Sequence, residues 1–180
     1  MIIEDSLRTA TCGLAVYNYT TEETQLEIKP KIIDDKRALY GKKIIMRYEQ
    51  KKLKNIYIPQ NAQASTITEG YKRTKDDTTQ IELKSEFNDD MTSTSLEGFF
   101  DDGILDSLRL SGMATTVYHL FEDSLYKGKN VTSGDTIIMN FKEKEINNII
   151  VNGGSQGRYT PDSLTNDTGQ PLKYSAEKID

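Results

Sequence analysis

Four Asp-Asp pairs, one imidazole and one thiol are the side chains of this 180-residue chain that could carry out chemistry. The pairs are Asp34-Asp35, Asp76-Asp77, Asp89-Asp90 and Asp101-Asp102. Two acids about 5 to 10 Å apart across a sugar would make a glycosidase. Each pair, however, falls at an expected turn, where Asp is favoured because its side chain bonds to nearby backbone. A Ser-His-Asp device would have to use His119, the single histidine, inside the apolar run VYHL with no nucleophile elbow before it. His119 is therefore expected to face solvent. Cys12, in ATCG, has no base or cation beside it in sequence to stabilise a thiolate, so it reads as a small buried residue. One cysteine and one histidine exclude an intramolecular disulfide, a multi-cysteine metal site and any HExxH site. No catalytic residue, metal or cofactor is assigned.

The elements that would position these groups are β-strands. Alternating runs occur at Ile44, Met46 and Tyr48, at Ile56 and Ile58, at Ile81 and Leu83, and at Leu108 and Leu110. They recur at Ile137, Met139 and Phe141 and at Ile149 and Val151. Period-2 alternation gives a strand one apolar face, and no segment keeps an amphipathic helical stripe beyond about two turns. Turn signals separate the runs at Asp34-Asp35, Tyr40-Gly41, Asp76-Asp77, 101–103, 133–135 and 152–154. The fold class is all-β.

An internal repeat refines this. Aligned without a gap, residues 44–64 and 137–157 share seven identities, at Ile44/Ile137, Ile45/Ile138, Met46/Met139, Lys51/Lys144, Asn55/Asn148, Ile56/Ile149 and Gln63/Gln156. A third copy fits near 96–116, with Phe100, Leu105, Leu108, Leu110 and Ala114. The shared template is an aromatic residue, four mostly polar residues, an aliphatic, aliphatics three and five positions later, and then a Gly or Ala region. It describes a hairpin whose returning strand puts its aliphatics on the face the aromatic occupies. Repetition predicts stacked antiparallel hairpin rungs that bury their apolar faces only against neighbours.

Composition narrows the function. The net charge is −5 with pI about 5.1, the mean hydropathy is −0.62, and KKLK at 51–54 is the one basic run, which argues against nucleic acid. No apolar stretch is long enough for a membrane-spanning helix, and the first residues lack the pattern of a signal peptide. Asn18, Asn130 and Asn166 head N-x-T sequons, and the ten tyrosines read as strand packing more than sugar stacking.

The run LRLSGMATTVY at 108–118, KGKN at 127–130, SGDTI at 133–137, Phe141 and IIVNGGSQGRYTP at 149–161 together resemble the OstA-like (organic solvent tolerance) family. That family includes periplasmic lipopolysaccharide-transport proteins of Gram-negative bacteria. The resemblance is strongest over 87–161 and extends weakly, through the repeat, to 8–64. It implies an open β-jelly-roll, or β-taco, whose apolar interior shelters acyl chains while sugars remain in water. It also implies a periplasmic, non-enzymatic carrier or bridge for lipopolysaccharide or another glycolipid, and end-to-end stacking with other OstA-like domains. Residues 1–180 then form a single segment, read as part of a longer repeat protein because residues 3–8 and 173–180 look like cut rungs. The groove lining expected from the strand faces is Ile44, Met46, Tyr48, Ile56, Ile58, Leu108, Leu110, Ile137, Met139, Phe141, Ile149 and Val151. The rivals are a structural β-solenoid that binds partners through open strand edges, and a carbohydrate-active β-helix enzyme with converging carboxylates.

Overall fold

Alternating apolar residues become strands here because each strand can bury one face only by lying beside a neighbour with the same period. The computed structural model describes residues 2–4, 8–76, 79–142, 145–164 and 171–179. Its strands are β1 (Ile2–Glu4), β2 (Thr9–Thr11), β3 (Leu14–Asn18), β4 (Glu23–Glu27), β5 (Lys31–Asp34), β6 (Arg37–Tyr40), β7 (Lys43–Glu49), β8 (Lys52–Ile58), β9 (Ala62–Asp76), β10 (Thr79–Ser93), β11 (Ser95–Asp101), β12 (Ile104–Glu122), β13 (Leu125–Lys142), β14 (Glu145–Pro161) and β15 (Leu172–Ile179). No helix occurs among the described residues. All fifteen strands belong to one sheet, antiparallel except for a single parallel bridge between Leu125 and Tyr71.

The sheet is folded over into two arms. The first runs β3-β4-β7-β8-β11 and continues into the first half of β12, the second half of β13 and the first half of β14. The second runs β1-β2-β5-β6-β9-β10 and continues into the other halves of β12, β13 and β14, with most of β15 at its edge. The fold line passes through the register shifts between Ser111 and Ala114, Ser133 and Thr136, and Asn152 and Ser155. There Gly112 and Gly153 adopt φ of 79° and 75°, a region that side chains disfavour. Thr94 N–H donates to Gly112 O at 2.8 Å and Lys42 N–H to Gln60 O at 3.2 Å, so shorter strands turn the same corner beside the long ones. The turn signals at 133–135 and 152–154 are thus bends within continuous strands and not chain reversals. A strand that crosses both arms needs the local twist and freedom that a glycine bulge supplies.

The hairpin template maps directly onto the first arm. Tyr48 opposes Leu53, Phe100 opposes Leu105 and Phe141 opposes Ile146. The reversals at Gln50-Lys51 and Asp102-Gly103 have positive φ at both central residues, the geometry that matches strand twist. Lys144 of the alignment and Asp77 of the second acidic pair lie outside the described residues, as does Asn166.

Candidate ligand cavity between the two arms

Three rows of side chains cross the inner face of the first arm. Nearest the fold line, Leu26 opposes Ile44, and Ile58, Leu96, Leu110, Ile137 and Val151 follow in register, each at most 1% exposed. Burying such side chains is worth roughly 1.5 to 3 kcal/mol each, so this row is core, and of its members Leu96 also borders the space between the arms. The next row runs Met46, Ile56, Gly98, Leu108, Met139 and Ile149. The outermost holds Tyr48-Leu53, Phe100-Leu105 and Phe141-Ile146. All twelve expected lining residues therefore sit on one interior face. Nine are in the buried cluster, and Tyr48, Phe141 and Ile149 pack against it half-buried.

The second arm answers with smaller groups. Ala10, Ile32, Leu39, Ala64, Met91, Thr116 and Thr132 form one row across it. Ile32, Leu39, Ala64 and Met91 of this row border the space between the arms, whereas Thr116 and Thr132 are buried. The result is a cavity of about 800 Å³ between the arms, inside the roughly 300–1,000 Å³ range of binding pockets. Of the twelve expected residues, Ile56, Leu108, Met139 and Phe141 line it, whereas Ile44, Ile58, Leu110 and Ile137 are packed away. Gly98 explains part of the opening. It stands in the second row, where its neighbours carry Ile56 and Leu108, and a Cβ there would meet nothing closer than 3.5 Å.

Polar side chains rim the cavity on the second arm. Arg8 Nε lies 3.3 Å from Asp34 Oδ2, and Arg37 Nη2 lies 3.5 Å from Asp34 Oδ1. Arg8 also reaches the opposite arm, where Nη2 donates to Gly103 O at 2.8 Å and the guanidinium sits 5.2 Å from the Phe100 ring centroid. At the other end Phe87, His119, Phe121 and Tyr126 form an aromatic cluster. Burial raises the Tyr126 phenol above its ordinary value, with Asp162 and Tyr159 adding to the effect. Two expectations change here. His119 does not face solvent, since its side chain is 15% exposed and Nδ1 lies 2.7 Å from Asp89 Oδ1. Asp89-Asp90 is not a turn but lies within β10. The register between β10 and β12 stops at Asp90, and the Asp89 carboxylate then accepts the His119 backbone N–H at 2.8 Å, replacing a missing carbonyl.

The remaining chemistry-bearing groups are structural. Asp34-Asp35 and Asp101-Asp102 do sit at strand ends, and Cys12 is buried. Asn18 Oδ1 accepts from the Thr20 and Thr21 backbone N–H groups, and Asn130 Nδ2 donates to Tyr118 Oη at 2.6 Å. Among the described residues no cluster of three His, Cys, Asp or Glu could hold a metal ion. Sequence reasoning missed Arg8, Asp34, Arg37, Leu39, Met91 and Phe121 as cavity residues. Asp34, Arg37 and Leu39 stand on four-residue strands and Met91 on a largely polar one, so only the pairing of β5, β6, β9 and β10 faces these four toward the first arm.

A folded antiparallel sheet with an apolar interior between its arms is an open β-jelly-roll, the fold the OstA-like resemblance implied. The chain is similar in structure to LptH from Pseudomonas aeruginosa, described as the LptA homologous periplasmic component of the conserved lipopolysaccharide transport device. The TM-score is 0.54 at 9% identity, with 93% of each chain covered, a likeness of fold. No known family profile and no curated protein sequence matches the chain.

Proposed function

We propose that this chain is a non-enzymatic carrier segment for lipopolysaccharide or a related glycolipid, holding acyl chains in the cavity between its arms. The observation that carries this reading is the 800 Å³ cavity lined by Ile56, Leu96, Leu108, Met139, Phe141 and Ile32, in a fold shared with a lipopolysaccharide-transport component. At about 30 Å³ per methylene, near the share of a water molecule in the liquid, the space takes roughly two acyl chains. Their burial is worth on the order of 20 kcal/mol gross at about 0.8 kcal/mol per CH2, which exceeds an association cost of roughly 4 to 15 kcal/mol. Apolar burial alone is thus sufficient to hold lipid, and no nucleophile or metal is required. The reading places the chain in a periplasm, with other OstA-like domains stacked on its open sheet edges.

Native mass spectrometry with lipopolysaccharide tests it. Saturable adducts are expected for the parent protein and loss of them for Met139→Asp, whose carboxylate would stand in the cavity wall. A folded Met139→Asp variant that loads as the parent does would remove Met139 from the lining, and a parent protein without adducts would remove the carrier reading.

One observation favours a scaffold role instead. Most of the apolar face is packed solid, and the edge strand β3 exposes Leu14, Val16 and Tyr17, with Tyr19 just beyond it. In that case association through β3 would proceed without glycolipid and would be blocked by Val16→Lys.

A further inference from the structure

We propose that the seam between β10 and β12 is a side passage of the cavity, through which an acyl chain enters and leaves. The proposal rests on the carrier reading and adds to it the route that the lipid takes. Backbone pairing between the two strands ends at Asp90 and Val117. Among the described residues the backbones of these two hairpins meet again only where Tyr71 pairs with Leu125 and its N–H donates to Ser124 O at 2.8 Å. In between, side chains close the wall. Asp89 Oδ1 accepts the His119 backbone N–H at 2.8 Å and lies 2.7 Å from Nδ1. The Phe87 ring stands 5.2, 5.1 and 4.8 Å from the His119, Phe121 and Tyr126 rings.

Residue parity shows that the two strands overlap there instead of lying side by side. Met91 and Thr116 are opposed and buried on the interior face. By alternation Phe87 and Asp89 of β10 and Tyr118 and Leu120 of β12 also point inward, whereas His119 and Phe121 point outward. Phe87 nevertheless packs on His119 and Phe121, and a Cβ at Gly70, which shares the face of Phe87 on β9, would collide with the Phe121 ring. Lys72, on the same face, brings Nζ to 5.8 Å from the Tyr126 ring centroid. The inner face of the β9–β10 hairpin therefore lies against the outer face of β12 and β13. The cavity reaches around the unpaired edge of β12, bordered by Tyr118 and Leu120 from one face and by His119 and Phe121 from the other. Such a slit opens when the Asp89–His119 bonds let go and rings turn, whereas a ladder would have to give up a row of backbone hydrogen bonds. Outside it, Leu83 and Ile81 continue the face of Phe87 and are 49% and 39% exposed. They make an apolar track from water to the slit.

Stopped-flow fluorescence with cis-parinaric acid tests the passage. A group met only in transit changes the entry and exit rates by one factor and leaves Kd alone, whereas a wall contact changes Kd. Phe87→Ala is expected to widen the slit and raise both rates roughly fivefold or more. Leu83→Gln, an uncharged change at an exposed position, is expected to lower both by a similar factor, and it carries the test by itself if Phe87→Ala does not fold. Parent-like rates in the folded variants overturn the passage and leave the carrier reading intact, the chains then using the mouth beside Phe100. An altered Kd at an unchanged entry rate makes these residues cavity wall and overturns it as well. A parent protein that binds no cis-parinaric acid overturns it too, and if lipopolysaccharide adducts are also absent the carrier reading falls with it.

Discussion

Thr116 stands on the interior face of β12, fully buried, with Oγ1 lacking a hydrogen-bond partner among the described residues. A buried hydroxyl without a partner costs about 1 to 3 kcal/mol, and valine keeps the branched shape that suits a strand. Thr116→Val is therefore expected to raise stability by about 1 kcal/mol, read as a higher urea midpoint at unchanged slope. Glu69 makes a different case. Hydrogen bonds from Lys36 and Lys84 hold its carboxyl down to about 2, against an ordinary value of 4.5. A depressed folded-state pKa contributes stability above 4.5 that is lost as pH falls toward about 2. The urea-midpoint difference between the parent and Glu69→Gln should shrink across that window, and shrink also in high salt because the group is exposed. None of this was legible in sequence, since Lys36 and Glu69 meet only through the pairing of β6 with β9.

The elements divide into those that the pattern foretold and those it misjudged. The hairpins of the first arm were legible because the aromatic-to-aliphatic spacing is a consequence of a two-residue reversal, and Tyr48-Leu53, Phe100-Leu105 and Phe141-Ile146 are indeed opposed. The corners were misread because glycine marks a turn and a bend alike. A pair of substitutions separates the two uses. Gly103 (φ 82°) has open space where a Cβ would go, whereas at Gly112 (φ 79°) it would lie 2.6 Å from Thr94 Oγ1. Gly103→Ala should cost about 1 kcal/mol from backbone strain alone, and Gly112→Ala about 1 to 3 kcal/mol more, because overpacking against Thr94 adds to it. Chemical denaturation of both variants checks the difference.

At the scale of the whole molecule, the cavity is the product of two unequal walls. Ile56, Leu108 and Met139 line it from the first arm and Ile32, Leu39, Ala64 and Met91 from the second, and Gly98 leaves a gap in the middle of the first wall. Filling that gap tests structure and function together. Gly98→Val adds a β-branched side chain to β11 where the nearest atoms stand at 3.5 Å, and it is expected to hold or raise the unfolding midpoint while lowering lipid loading in native mass spectrometry. Equal loading in a folded variant would show that the chains lie elsewhere. The apolar alternation, the hairpin repeat and the all-β class were determined by sequence alone, because strand period and turn geometry are local properties written within a few residues. Which rows pack and which line a cavity, and that Arg8, Asp34 and Arg37 gather beside Phe100, was decided only by the folding-over of the sheet. Parity tells a side chain which face it shares, but the distance to the opposite face depends on strands some ninety residues away, as between Arg8 and Gly103.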